Sequence, residues 1–146
     1  MNFQDFISSS ILIVYIIPII LYGITRQPYH IIAFMGTLGT NVISEIIKHV
    51  FIKEVSPRPQ GAMNCDMMCT NGNQEGKPGM PSSHAATISF FTIYYLRHTS
   101  NLYIRAILIG YAVFVMMSRY HKRCHTVPQI MAGALLGSSM GILLDP

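Results

Sequence analysis

Two histidines, two arginines and a lysine stand at the ends of apolar stretches in this chain. They are Lys48 and Arg58, His84 in Gly79-Met80-Pro81-Ser82-Ser83-His84, and Arg119 of Ser118-Arg119 followed by His125. These residue types can do phosphoryl chemistry. An arginine presents a planar fork to phosphoryl oxygens, and a neutral imidazole can attack phosphorus if its other nitrogen is held. Gly79 and Pro81 mark a turn that opens a helix, with Ser82 and Ser83 beside it; such a start offers free N–H groups and a positive dipole end to a phosphate. His84 then sits where it can hand a proton to a leaving oxygen. Thr126-Val127-Pro128 reads as a second capped helix start, directly after His125. Taken singly, Pro-Ser-Ser-His reads as a helix cap and a lone histidine as structural. Brought together on one membrane face, the set makes an anion site.

The elements that must position these residues are apolar. With 51% hydrophobic and 11% charged residues in 146, the chain is too apolar for an ordinary soluble fold and reads as one domain, 1–146, in a bilayer. Segments near 6–24, 31–52, 84–97, 102–118 and 127–144 predict an all-α, polytopic membrane bundle of about five transmembrane helices, with a loop-built active site at one membrane face. The first two are long enough to span hydrocarbon, the others lie near the short limit, and the third is the weakest. The first reads as a retained helix kinked at Pro18 and not as a removed signal peptide. A net charge of +4 without a basic run or aromatic–basic interleaving excludes a nucleic-acid partner. Lys53, Arg58, Lys77, Arg119, Lys122 and Arg123 share one face, against Arg26, Arg97 and Arg105 on the other. Charges retained to bind an anion do not report on insertion, so this count leaves orientation open.

Asn41, Ser44, Glu45 and Lys48 form a polar stripe on the second segment, pointing toward Arg58-Pro59; ionisable groups at membrane depth should face the interior or a wet cavity. A Glu45–Lys48 pair that only joins helices is the bland alternative. The linker from Lys53 to Met80 is long for a structureless loop and therefore reads as functional. Within it, Cys65 and Cys69 are open to three readings: free thiols, a local disulfide, or half a zinc site with His121 and Cys124. Gly133, Gly137 and Gly141 give the last segment a small-residue face for close packing, within the chain by default.

Arg58-Pro59, Pro81-Ser82-Ser83-His84 and Ser118-Arg119 with His125 carry a resemblance to the type-2 phosphatidic acid phosphatase superfamily, whose motifs are K-x6-R-P, P-S-G-H and S-R-x5-H-x3-D. It covers positions 48 to 129. Nine residues, not six, separate Lys48 from Arg58, with Lys53 as its substitute; Ser83 replaces a glycine, and Gln129 an aspartate. The last two departures resemble the dolichyldiphosphatase branch. That resemblance implies a lipid phosphate or polyprenyl diphosphate substrate, hydrolysed without metal or other cofactor in the endoplasmic reticulum membrane, with a lumenal site. It assigns His125 as nucleophile through a phosphohistidine, His84 as acid and then base, and Lys48, Arg58 and Arg119 as clamps. Ser82, Ser83, Lys53, Ser118 and Gln129 join them as substrate-binding positions. By its chemistry Gln129 could accept the Nδ1–H bond of His125, though a neutral amide steadies an imidazolium less than a carboxylate does. The alternatives are a general lipid phosphate phosphatase and a catalytically silent membrane protein that binds lipid headgroups or assists assembly. Oligomeric state is not legible.

Overall fold

The protein, known here from a computed structural model, is described over residues 3–144. Five helices carry it: α1 (Phe3–Thr25), α2 (Tyr29–Val55), α3 (Ser83–His98), α4 (Leu102–His121) and α5 (Val127–Leu143). Among the described residues there is no named strand, only two isolated bridges. α1, α2 and α4 are long and apolar enough to cross a membrane, whereas α3 and α5 have 16 and 17 residues. At 1.5 Å per residue α3 is about 24 Å long, short of a full hydrocarbon span. Its faint signal in the sequence has a physical cause: α3 is buried from Ser83 to Thr92 and carries Ser83, His84, Thr87, Ser89 and Thr92 into the interior. α2, α4 and α5 all pack against it.

The distribution of polarity is the reverse of a soluble protein's. Thr37, Thr40, Ser44 and Lys48 of α2 are buried, while Ile13, Ile16, Ile20 and Ile24 of α1 face outward. Such a surface suits hydrocarbon, and the buried polar face needs partners within the bundle. Pro18 lies inside α1 and is buried; the departure from α geometry comes earlier, in the 3-10 turn Ser10–Leu12.

α5 lies directly on α3. A Cβ added at Gly137 would stand 1.9 Å from the Ala86 carbonyl oxygen, and one at Gly133 would stand 2.3 Å from that of Ser82. Only glycine admits this approach, so the small-residue face is spent on packing within the chain. The seam continues at the helix starts, where the Ser82 N–H donates to the Gln129 carbonyl at 3.0 Å.

The segment between α2 and α3 is folded. Antiparallel bridges pair Pro57 with Pro78 and Met63 with Asn73, and Arg58 N–H donates to the Lys77 carbonyl at 2.8 Å. It forms an irregular hairpin, not the structureless loop that its composition suggests. Its fastening also differs from the sequence expectations: the disulfide joins Cys65 to Cys124, across 59 residues of sequence. Cys69 is left as the free thiol, 3.0 Å from Lys122 Nζ. A Cys65–Cys69 bond and a zinc half-site using Cys65 and Cys124 are thereby both replaced. The pairing was hidden because residues far apart in sequence meet only once the hairpin folds over the end of α4.

Candidate active site

Four elements meet at one end of the bundle around a cavity of about 350 Å³, whose walls include Glu45, Lys48, Arg58, Ser83, His84 and His125. Each arrives for a local reason. Lys48 lies on the inward stripe of α2, in the π-helical stretch Ile47–Ile52. That wider helix, followed by the 3-10 turn Lys53–Val55, takes up the unusual separation between Lys48 and Arg58. Ser83 and His84 open α3, whose start is capped by the Ser82 hydroxyl accepting from Ala85 N–H at 3.4 Å. His125 follows Cys124 in the turn before α5, so the disulfide anchors the hairpin beside it.

The His125 ring is held in one tautomer. Its Nδ1 lies 2.9 Å from the Gly79 carbonyl oxygen, which can only accept; Nδ1 therefore carries the proton and Nε2 keeps its lone pair. Arg58 Nη1 donates to that Nε2 at 3.2 Å and to the Cys124 carbonyl at 3.1 Å. Burial, then the charges of Arg119, Arg58 and Lys48, hold the His125 imidazole well below the ordinary histidine range, against the opposing bond to Gly79. At neutral pH the ring is therefore an uncharged imidazole, with the Nε2 lone pair engaged by Arg58. Burial also lowers the Arg58 guanidinium from its ordinary value, and the Glu45 carboxylate partly offsets this.

Lys48 Nζ donates to Glu45 Oε1 at 2.6 Å and to Ser83 Oγ at 2.8 Å, and the Ser83 hydroxyl donates to the same carboxylate oxygen. Glu45 was legible as part of the stripe; its hold on Ser83 was not. His84 is buried with Nε2 lacking a hydrogen-bond partner. Arg119 stands behind the cavity wall, fully buried, with Nη1 on the Ser8 hydroxyl and Nη2 on the Cys65 carbonyl. Its charge nevertheless heads the electrostatic influences on His125. From the hairpin, Lys77 joins the wall together with Asp66, whose carboxylate is already occupied by the N–H groups of Thr70 and Asn71. Cations outnumber carboxylates, and each carboxylate is engaged. Since burying a charge costs several kcal/mol unless it is compensated, the cavity is suited to an anion.

Not every expected residue reaches it. Lys53 is exposed and off the cavity wall. The Ser118 hydroxyl bonds back to the Val115 carbonyl within α4, at 2.7 Å. Ser82 acts as a cap and through its backbone. Gln129 is buried, yet its hydrogen bonds go elsewhere than the His125 ring: its Oε1 accepts from Thr126 N–H at 3.1 Å, and its Nε2 donates to Ser56 O, Ser56 Oγ and Pro57 O at 3.2, 2.9 and 2.9 Å. The place at Nδ1 belongs to Gly79, a backbone acceptor with no side-chain signature in the sequence.

Comparisons with known proteins agree with this geometry. The chain is similar to dolichyldiphosphatase 1 of Rhinolophus ferrumequinum, 34% identical over 89% of this chain and 58% of the relative. Dolichyldiphosphatase 1 of Homo sapiens is 33% identical over 82% of this chain and 53% of its own length. Lipid phosphate phosphatase epsilon 1, chloroplastic, of Arabidopsis thaliana is 25% identical over 76% and 38%. The chain thus spans between about a third and three fifths of the length of these curated relatives. No solved structure matches it. The sequence pattern of the PAP2 superfamily, by contrast, matches residues 29–144, which include every histidine, arginine and lysine of the cavity wall, and the chain belongs to that superfamily as an integral membrane protein.

Proposed function

We propose that this protein is a metal-independent phosphatase that removes the terminal phosphoryl group from a polyprenyl diphosphate in the membrane. The carrying observation is His125: a neutral imidazole with Nδ1–H on Gly79 and Nε2 on the same cavity as Lys48, Arg58 and His84.

His125 Nε2 attacks the terminal phosphorus. The bond to the bridging oxygen breaks, and His84, which enters the step as an imidazolium once the bound anion offsets the surrounding cations, gives its proton to the departing lipid monophosphate. His84 then takes a proton from water, which attacks the phosphohistidine, releases inorganic phosphate and restores His125. Arg58 changes partner on binding, exchanging Nε2 for a phosphoryl oxygen and so freeing the lone pair it holds at rest. Lys48 and Ser83 meet the remaining oxygens, with Arg119 supplying field from behind. The similarity to dolichyldiphosphatases supports the diphosphate; the similarity to lipid phosphate phosphatases supports a monophosphate lipid as the second reading.

The Cys65–Cys124 bond beside the nucleophile supports a catalytic face on an oxidising side, in keeping with an endoplasmic reticulum lumen. Phosphate release from purified protein tests the whole reading. A polyprenyl diphosphate should be turned over faster than phosphatidic acid, in the presence of a chelator, and His125→Ala should abolish the signal. Binding without turnover by the unmutated protein would sink the enzyme assignment, and preference for the monophosphate would transfer it to the second reading.

A further inference from the structure

Beside the catalytic cavity lies a larger one, of about 590 Å³, and His125 belongs to the walls of both. The polar wall of this second cavity carries His121 and Arg123 at the end of α4, Thr126 at the start of α5, and Pro59. It continues into an apolar groove between α4 and α5, lined by Met116, Met117 and Ile130, and the two share Tyr120, His121 and Val127. The groove exists because α4 and α5 each lean on α3 and touch one another only lightly. Cavity and groove lie within the size range of small-molecule sites. Arg123 adopts a left-handed backbone conformation, φ 55°, and lays its side chain over Gly61, where an added Cβ would stand 3.5 Å from Arg123 Cδ and Nη1. Among the described residues, neither Arg123 nor His121 makes a hydrogen bond or an ion pair through its side chain.

We propose that cavity and groove together bind an anionic, phosphate-bearing lipid, its phosphate on Arg123 and His121 and its hydrocarbon chain between α4 and α5. The positive charge here has no answer within the walls, since no Asp or Glu lines either space. Glu75, the acid beside Gly61, accepts from Gly61 N–H at 3.1 Å, and the neighbouring cation Lys122 is paired elsewhere, with Asp5 at 2.6 Å. The end of α4 brings little opposing field: the carbonyls of Ser118, Arg119 and Tyr120 already accept from the N–H groups of Lys122, Arg123, Cys124 and His125. The start of α5 presents the positive end of its dipole. His121 offers one N–H in either tautomer, and Arg123 a planar fork. A soluble anion would leave the groove open, and a neutral lipid would leave Arg123 without a counter-ion. An amphiphile with an uncompensated negative charge answers both. This site is separate from the phosphatase reading and stands or falls without it.

The test uses the full-length protein in phosphatidylcholine nanodiscs and two photoreactive probes. One is a phosphonate analogue of phosphatidic acid with a diazirine on its acyl chain, which hydrolysis cannot convert; the other is the diacylglycerol with the same chains. The phosphonate should label peptides around Met116–Tyr120 and Val127–Ile130 about threefold to fivefold more strongly than the diacylglycerol, the upper range for an exposed ion pair. Arg123→Asn, which keeps a residue tolerant of the left-handed conformation, should bring the two probes within about twofold of each other. Lys53→Asn, at an exposed cation outside cavity and groove, should leave the difference intact. Met117→Trp, which fills the groove from its wall, should lower labelling by both probes and provides the decision if Arg123→Asn does not fold. Excess inorganic phosphate should not displace the phosphonate; displacement would overturn the lipid assignment in favour of a free anion. Equal labelling by the two probes, or a preference that survives Arg123→Asn, would overturn the proposal. So would a preference lost in Lys48→Gln and kept in Arg123→Asn, by placing the headgroup in the catalytic cavity.

Discussion

Restoring the superfamily's acid at position 129 should harm this protein. The side chain of Gln129 is 1% exposed, and its Nε2 donates to two backbone carbonyls, of Ser56 and Pro57, and to the Ser56 hydroxyl. In Gln129→Glu an oxygen takes the place of that nitrogen. The Ser56 hydroxyl can turn to donate, but the two carbonyls, 3.2 and 2.9 Å away, lose their donor and face a carboxylate. Two lost bonds at about 1 kcal/mol each, together with like-charge opposition in a buried place, amount to about 2–4 kcal/mol at neutral pH. The Oε1 bond from Thr126 N–H is kept, so the start of α5 survives. A drop in Tm of about 5–15 °C follows for a chain of this size. Protonating the new carboxyl returns a donor, so the defect should shrink between pH 7.5 and pH 5. Turnover should fall as well, because the Ser56–Pro57 segment leads into Arg58. Thermal unfolding and phosphate release in parallel provide the measurement. A variant as stable as the parent and faster than it would refute the reasoning, since the residue would then act on the His125 ring and not on the hairpin.

The remaining expectations concern pH, the disulfide and the helix seam. In the proposed reaction His125 attacks unprotonated, and burial holds it well below the ordinary value of 6.5, so the acid limb of kcat/KM that it would control should fall below pH 6.5; a limb at or above that value would contradict the burial argument. The same depression makes the unfolded chain take up a proton before the folded one as pH falls past 6.5, so stability should decline from there downward and level off below the folded value. Reducing Cys65–Cys124, or replacing both by serine, releases a loop of 59 residues and should cost about 4 kcal/mol on the chain-entropy account, with turnover lost alongside; denaturation with and without dithiothreitol tests it. Gly137→Ala drives a methyl group to 1.9 Å from the Ala86 oxygen and should cost about 3 kcal/mol or more, while Gly110→Ala, with nothing within 4 Å, should leave the unfolding free energy unchanged or raise it by up to about 1 kcal/mol; thermal unfolding of the two variants checks both.

The helices and the three motifs were legible because helical elements write themselves as apolar length, and caps as Ser, Thr and Pro at fixed offsets. The segment 84–97 marks a helix that the structure places at Ser83–His98, and 127–144 one at Val127–Leu143. What escaped was carried by backbone or by distant pairing. The Gly79 carbonyl that orients His125 could be supplied by any residue type, so no side chain announces it. Three cysteines permit several pairings, and only the folded hairpin selects Cys65 with Cys124. Gln129 was read by its place in the motif, opposite the nucleophile; its amide faces two carbonyls and one N–H, a pattern that position alone does not reveal.

The interlock of α3 and α5 has a consequence for how such a protein can change. His84 and His125 stand at the entrances of two helices joined at van der Waals contact and tied by Ser82 N–H on the Gln129 carbonyl, so neither imidazole can drift without the other. Arg58 and Lys77 hang from the hairpin, and Lys48 from the π-helical end of α2. The molecule therefore divides into a fixed anvil of two imidazoles and a hand of cations hung from separate elements, of which Arg58 is fastened to His125 itself. Only Lys77 has no part in the proposed transfer, so a change of headgroup preference would start there at least risk to the anvil.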